Sequence, residues 1–217
     1  MQTSIWPNIV EAANAMSGWE VAAVVLALLY VWLAARQSLW CWPAALLSCC
    51  IYFYICLEAN LKAEAGLQVF YIVMAVVGWW QWNKGQGTAE EDTGHPLAKS
   101  ETPPITTLGL PKNLVIIAVN GLGTLGLGYV LANYLSSANP YVDAFTTVFS
   151  LYTTWMVTQK ILENWLYWIV IDAVSIWLYA SRELYLSALL FTVYTVLAAV
   201  GYWRWQQHYR TQTLVAA

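Results

Sequence analysis

Shifted against itself by 123 residues, the chain matches its own sequence. Trp42 falls on Trp165, Leu61 on Leu184, Ala65 on Ala188, Leu67 on Leu190 and Tyr71 on Tyr194. Val73 falls on Val196, Ala75 on Ala198, Val77 on Val200, Gly78 on Gly201, Trp80 on Trp203 and Trp82 on Trp205. That is 11 identities in the 41 ungapped positions from Trp42 to Trp82. The same offset sets Leu28 on Leu151, Trp32 on Trp155 and Glu20 on Asp143. Apolar bias inflates matches of Leu, Ala and Val, but it does not readily yield four Trp pairs, a Gly pair and a Tyr pair. A duplicated unit restricts the fold to architectures in which two copies of one motif pack together.

What is duplicated is a set of membrane-length apolar segments. Of the 217 residues 60% are hydrophobic and 10% charged, whereas a soluble domain carries about a quarter charged residues. A bilayer span needs about 20 largely apolar residues. That window finds seven spans, near residues 19–35, 39–57, 65–82, 113–135, 141–158, 164–180 and 184–205. Residues 83–112, rich in Gly and Pro among acids and lysines, read as a solvated linker. The fold class is therefore an all-α integral membrane protein, with a first three-helix repeat at 19–82, a linking helix at 113–135 and a second repeat at 141–205. Three spans plus one between the copies give both the same orientation, a parallel repeat of the kind that places a transporter site near the midplane.

The basic residues fit this count. Arg36, Lys84, Lys99, Lys112, Lys160, Arg204 and Arg210 fall on one side, and Lys62 and Arg182 on the other. The positive-inside rule then sets the N-terminus outside and the C-terminus in the cytoplasm. No basic stretch precedes the first apolar run, so a cleaved leader is not expected. A net charge of −3 argues against a nucleic-acid partner.

One span carries chemistry unsuited to lipid. Trp165, Trp168 and Asp172 follow at i, i+3 and i+7, so they share a helix face. A carboxylate at such depth faces a cavity or a partner. Two indoles beside it make an aromatic–acid stripe fit for a flat cation; the alternative is that the tryptophans are packing and a neighbouring hydroxyl caps Asp172. The repeat makes Trp42 the partner of Trp165 and sets Ser48 opposite Ile171 and Cys49 opposite Asp172, so the two halves differ in polarity. Other polar residues in the spans include Gln68, Tyr71, Ser150 and Tyr194, with a hydroxyl-rich run from Thr146 to Thr154. Glu20 and Asp143 sit at helix N-termini, where an acid complements the dipole.

Several chemistries find no support. Cys41, Cys49, Cys50 and Cys56 cluster in or beside one apolar segment, neither a disulfide framework nor a metal spacing. Gly121, Gly123 and Gly126 match the dinucleotide fingerprint, but inside an apolar span without a preceding strand. Small residues there suit close helix approach or an oligomer contact. Glu90-Glu91-Asp92 reads as a solvated acid run. No P-loop or G-x-S-x-G is present, so no enzyme activity and no cofactor is expected. A different class, a non-transporting sensor or assembly subunit with a merely architectural repeat, stays open on the sequence.

Glu163-Asn164-Trp165-x-x-Trp168-Ile169, the Tyr-x6-Gly-x-x-x-Trp closures at 71–82 and 194–205, and Asp143-Ala144-Phe145-Thr146-Thr147 resemble the PnuC-type vitamin transporters. That family includes nicotinamide riboside carriers and thiamine carriers of the PnuT branch. The resemblance covers both three-helix units. It implies a SWEET-related fold, a homotrimer in the bacterial inner membrane, and facilitated diffusion with the vitamin trapped by a cytoplasmic kinase. It also implies that Trp165, Trp168 and Asp172 line the substrate site, with Gln68, Tyr71, Ser150, Tyr194, Trp42 and Ser48 as further candidates. Where a riboside carrier has asparagine at two positions, this chain has Ser48 and Asp172. Nicotinamide riboside is the substrate the resemblance implies first, and thiamine second.

Overall fold

The computed structural model describes residues 5–84, 103–135 and 138–216. Among these run eight helices: α1 (Ile5–Ala15), α2 (Gly18–Ala35), α3 (Cys41–Glu58), α4 (Lys62–Lys84), α5 (Leu110–Tyr134), α6 (Pro140–Thr158), α7 (Asn164–Ser181) and α8 (Tyr185–Ala216). The seven expected segments correspond to α2 through α8, with α8 running on past Trp205. Helix α1 was not expected: at 11 residues it is too short to span, and it packs on α8.

Neighbour packing closes a ring. Helix α2 packs on α3, α3 on α4, α4 on α6, α6 on α7, α7 on α8, and α8 back on α2. Helix α5 lies outside this ring against α6. There Gly128 abuts the Tyr141 ring, and a Cβ at Gly123 would stand 3.3 Å from Val148. The glycines of the false fingerprint thus include one that serves helix packing.

The local turns explain where the helices stop. Gln37, Asn60, Lys160 and Glu183 have φ of 58°, 58°, 52° and 60°. Each follows a helix end, and the residue after it donates its N–H back into the last turn: Ser38 to Leu33, Leu61 to Cys56, Ile161 to Met156 and Leu184 to Tyr179. This is the Schellman closure, which satisfies carbonyls left open at a helix end. Gln37 and Lys160 are 123 apart, as are Asn60 and Glu183. Helix α2 starts on a capping box, Ser17 Oγ accepting from Glu20 N–H at 3.2 Å and Glu20 accepting from Ser17 N–H at 2.6 Å. Asp143, in the first turn of α6, instead pairs with Arg182 at 3.1 Å.

Among the described residues five helices, α2, α3, α4, α5 and α8, are long and apolar enough to cross a membrane. Helices α6 and α7 have 19 and 18 residues and bury polar side chains. Ser150, Thr153, Thr154 and Thr158 of α6 are buried, as are Asn164, Asp172 and Ser175 of α7.

The 123-residue offset recurs in the contacts at one end of the ring. Trp82 Nε1 donates to the Val157 carbonyl at 3.3 Å, and Trp205 Nε1 to the Ala34 carbonyl at 3.0 Å. Trp42 meets Trp82 edge-on at 5.3 Å, and Trp165 meets Trp205 edge-on at 5.4 Å. The two outer rings, Trp82 and Trp205, stand 6.1 Å apart. Lys160 Nζ lies 4.7 Å from the Trp82 ring centre and donates to Gln37 Oε1 at 2.9 Å.

The end of the linker is packed here, against the expectation of a solvated loop. Ile105 is buried in the tryptophan cluster. Thr106 N–H donates to the Lys160 carbonyl at 3.1 Å, and Leu162 N–H donates to the Thr106 carbonyl at 2.9 Å. An apolar residue after two prolines found a better site on the rings than in water. The acid run Glu90-Glu91-Asp92 and the rest of 85–102 lie outside the described residues.

Lys160 sits in the α6–α7 turn with 1% of its surface exposed. Burial pushes its ammonium down from 10.5 to about 7. Between those pH values the unfolded chain holds a proton that the folded chain has released, so stability rises with pH across that window. Thermal midpoints in detergent are expected to climb from pH 7 to 9 in the native chain and to stay flatter in Lys160→Met. Parallel curves for the two proteins would contradict that assignment.

Candidate functional site

Inside the ring lies a cavity of about 520 Å3, the size of a small-molecule site. Each helix of the ring contributes a stripe with helical spacing. Helix α2 gives Ala27, Tyr30, Val31 and Ala34; α3 gives Trp42, Ala45, Ser48, Cys49 and Tyr52; α4 gives Gln68, Tyr71 and Ala75. Helix α6 adds Thr154 and Val157, α7 adds Trp165, Trp168, Asp172 and Tyr179, and α8 adds Ser187, Leu190, Phe191, Tyr194 and Ala198.

Of the nine candidate residues, eight line this one cavity: Trp42, Ser48, Gln68, Tyr71, Trp165, Trp168, Asp172 and Tyr194. Ser150 does not. It stands behind the wall, 3.0 Å from the Tyr71 hydroxyl. The expectation of a pore-facing Ser150 came from polarity alone, and the turn of α6 presents Thr154 instead.

Two indoles form one part of the wall. Trp42 and Trp165 are 2% and 3% exposed, each braced edge-on by the tryptophan from the other end of its own repeat segment. Each also fills space opened by a glycine, Gly78 for Trp42 and Gly201 for Trp165. A Cβ at Gly201 would approach the Trp165 ring to 2.7 Å, and one at Gly78 would penetrate the Trp42 ring. The offset thus repeats a knob and its hole.

The polar part of the wall is lopsided. Asp172 is 3% exposed, lines the cavity, and accepts no hydrogen bond among the described residues. The alternative in which a neighbouring hydroxyl caps it is therefore absent from the structure: Ser175, one turn on, donates to the Ile171 carbonyl at 2.9 Å. A carboxyl without a hydrogen-bond donor, on the wall of a chamber lined by aromatic rings, can serve as the counter-charge for a cation. The equivalent position on α3 is Cys49, so the charge sits on one side only. Trp168 likewise replaces Ala45, and Phe191 replaces Gln68.

The hydroxyl run of α6 does not project donors into the cavity. Thr146, Ser150, Thr153, Thr154 and Thr158 donate to carbonyls three or four residues back, at 3.2, 3.0, 2.6, 2.7 and 2.8 Å. Helix hydroxyls commonly do this in apolar surroundings.

Tyr30, Tyr52, Tyr179 and Phe191 were not singled out from the sequence, and Cys49 and Thr154 were named there only as a repeat partner and as the end of a hydroxyl run. A signal for some of them existed: continuing the i, i+3/i+4, i+7 stripes from Ser48 reaches Ala45, Cys49 and Tyr52, and from Tyr194 reaches Ser187, Leu190, Phe191 and Ala198. Among the described residues no three His, Cys, Asp or Glu converge as a metal site, and the four cysteines are free thiols.

A ring of membrane-length helices around an aromatic, ligand-sized chamber with an embedded carboxylate is the architecture of a small-molecule membrane transporter. The sequence model of the family described as nicotinamide mononucleotide transporter matches residues 17–207. The chain belongs to that family: it is a membrane transporter, not an enzyme. It is 26% identical over 182 residues to the riboflavin/roseoflavin transporter RibM of Streptomyces davaonensis, covering 83% of this chain and 81% of RibM. It is 25% identical over 204 residues to the nicotinamide riboside transporter PnuC of Escherichia coli, covering 88% of this chain and 85% of that one. Its fold matches a crystal structure of the vitamin B3 transporter PnuC with a TM-score of 0.71 at 23% identity, over 94% of this chain and 87% of that one.

Proposed function

We propose that the protein is a facilitator for a flat, cationic vitamin precursor, nicotinamide riboside first, and that the central cavity is its substrate site. One observation carries this reading: Asp172 is buried against the cavity beside Trp165 and Trp168 without a hydrogen-bond donor among the described residues. A buried charge left unpaired is costly, and a pyridinium supplies both the countercharge and a flat face for the indoles. The PnuC relatives are nicotinamide riboside transporters by name. Thiamine is the second reading, favoured by an acid where a riboside carrier has asparagine.

In this reading α2–α4 and α6–α8 are parallel three-helix units joined by α5, giving seven spans. The recurrence of turns, indole bonds and glycine holes at the 123-residue offset supports it. The N-terminus lies outside and the C-terminus inside the bacterial inner membrane, as the basic residues favour. The family resemblance supports a homotrimer whose substrate is trapped by a cytoplasmic kinase, so the carrier itself needs no energy source.

Counterflow into liposomes tests this. Vesicles holding the purified protein and preloaded with nicotinamide riboside are expected to take up the labelled riboside, unaltered, without ATP or an ion gradient. Exchange of riboflavin, the ligand in RibM's name, with none of the riboside or thiamine would overturn the cationic reading.

A further inference from the structure

Ser150 stands behind the cavity wall with two partners. Its Oγ lies 3.0 Å from the Thr147 carbonyl oxygen, which can only accept, and 3.0 Å from the Tyr71 hydroxyl. A serine hydroxyl has one proton. With that proton on the carbonyl, Ser150 has only lone pairs to offer Tyr71, so Tyr71 is the donor of the pair. Tyr71 lines the cavity, and its oxygen then has only lone pairs to offer a ligand there.

Two further hydroxyls on the wall are committed in the same sense. Ser48 donates to the Ala23 carbonyl at 2.9 Å, and Thr154 to the Ser150 carbonyl at 2.7 Å. With Asp172, four wall positions on four different helices therefore have oxygens whose lone pairs are left to offer. Gln68 and the remaining tyrosines on the wall carry groups that can donate.

We propose that Ser150 is a positioning residue for substrate selection: by taking the Tyr71 proton it fixes the Tyr71 oxygen as an acceptor. The wall of Ser48, Tyr71, Thr154 and Asp172 then selects ligands by the O–H and N–H groups they present. A ligand carbonyl or ester oxygen at the same place would meet lone pairs and leave both acceptors unsatisfied. This deepens the functional reading above and rests on the cavity being the substrate site.

The test is calorimetric titration of the purified protein with nicotinamide riboside and a series in which one donor at a time is removed: the carboxamide as its methyl ester, and each ribose hydroxyl as the deoxy compound. If thiamine is the ligand that binds, its amino and hydroxyl groups are removed in the same way. One analogue is expected to bind the native protein about tenfold more weakly than its parent. In Tyr71→Phe that penalty is expected to fall below about twofold, because the acceptor is gone. Ser150→Ala, which frees the Tyr71 proton, is expected to shrink it as well, and Ser150→Thr, which keeps an oxygen in place, to restore it.

Uniform weakening of every ligand by Ser150→Ala would mark a merely structural role and overturn the proposal. So would a series in which no penalty depends on Tyr71; the Tyr71→Phe arm decides this even should Ser150→Ala not fold. Failure of the native protein to bind either parent vitamin would instead sink the functional reading, and this inference with it.

Discussion

Replacing Asp172 by asparagine is expected to weaken binding of a cationic vitamin at least thirtyfold while leaving the protein as stable as before, or more so. The two effects have opposite signs for one reason. The carboxylate is nearly enclosed, 3% exposed, and accepts no hydrogen bond among the described residues. An amide of the same shape is easier to bury. With a cation bound, the carboxylate is one half of a desolvated pair, and removing one partner of such a pair costs about 2 kcal/mol or more, roughly thirtyfold in affinity. Titration and thermal melting of the same preparations measure both. A neutral flat ligand should be nearly indifferent to the change. Equal affinity of the native and Asp172→Asn proteins for the cation would remove Asp172 from the site.

Alanine at Gly78 or Gly201 is expected to destabilise the protein by about 1–3 kcal/mol each, whereas alanine at Gly66 stabilises it. All three glycines are helical, and in a helix alanine is favoured over glycine by about 0.8–1 kcal/mol. Gly66 has nothing within 4 Å of an added Cβ, so propensity decides. At Gly201 the Cβ would stand 2.7 Å from Trp165, and at Gly78 it would enter the Trp42 ring. Neither indole has room to yield: each is nearly buried and held edge-on by Trp205 or Trp82 at 5.4 and 5.3 Å. The clash therefore outweighs the propensity gain. Because both rings line the cavity, ligand affinity should fall together with the melting midpoint. Gly201→Ala melting at or above the native midpoint would show that Trp165 is not a rigid wall.

Much of this arrangement was legible in the sequence because its signals are periodic. Membrane length and apolar content marked the helices α2 to α8, and the 123-residue offset paired Gly78 with Gly201 and Trp42 with Trp165. The i, i+3, i+7 spacing put Trp165, Trp168 and Asp172 on one face, and all three line the cavity. What the sequence concealed depends on rotation and on hydrogen-bond direction. Composition says that α6 is rich in hydroxyls, yet not that their protons turn back to its own carbonyls. Nor does it say that Thr154, one turn beyond Ser150, is the residue on the wall. Ile105 was hidden for another reason. A single apolar residue among prolines and threonines carries no periodic signal, and only the tryptophan cluster beneath it explains its burial. Helix α1 is also too short to register as a span.

Calorimetric titration of the purified native protein with nicotinamide riboside, thiamine and riboflavin in parallel tests the central claim most directly. Saturable binding of the riboside or of thiamine at one site per chain, with riboflavin bound far more weakly, is the result predicted from a cavity whose embedded charge is Asp172. Tight riboflavin binding with neither cation bound would contradict it.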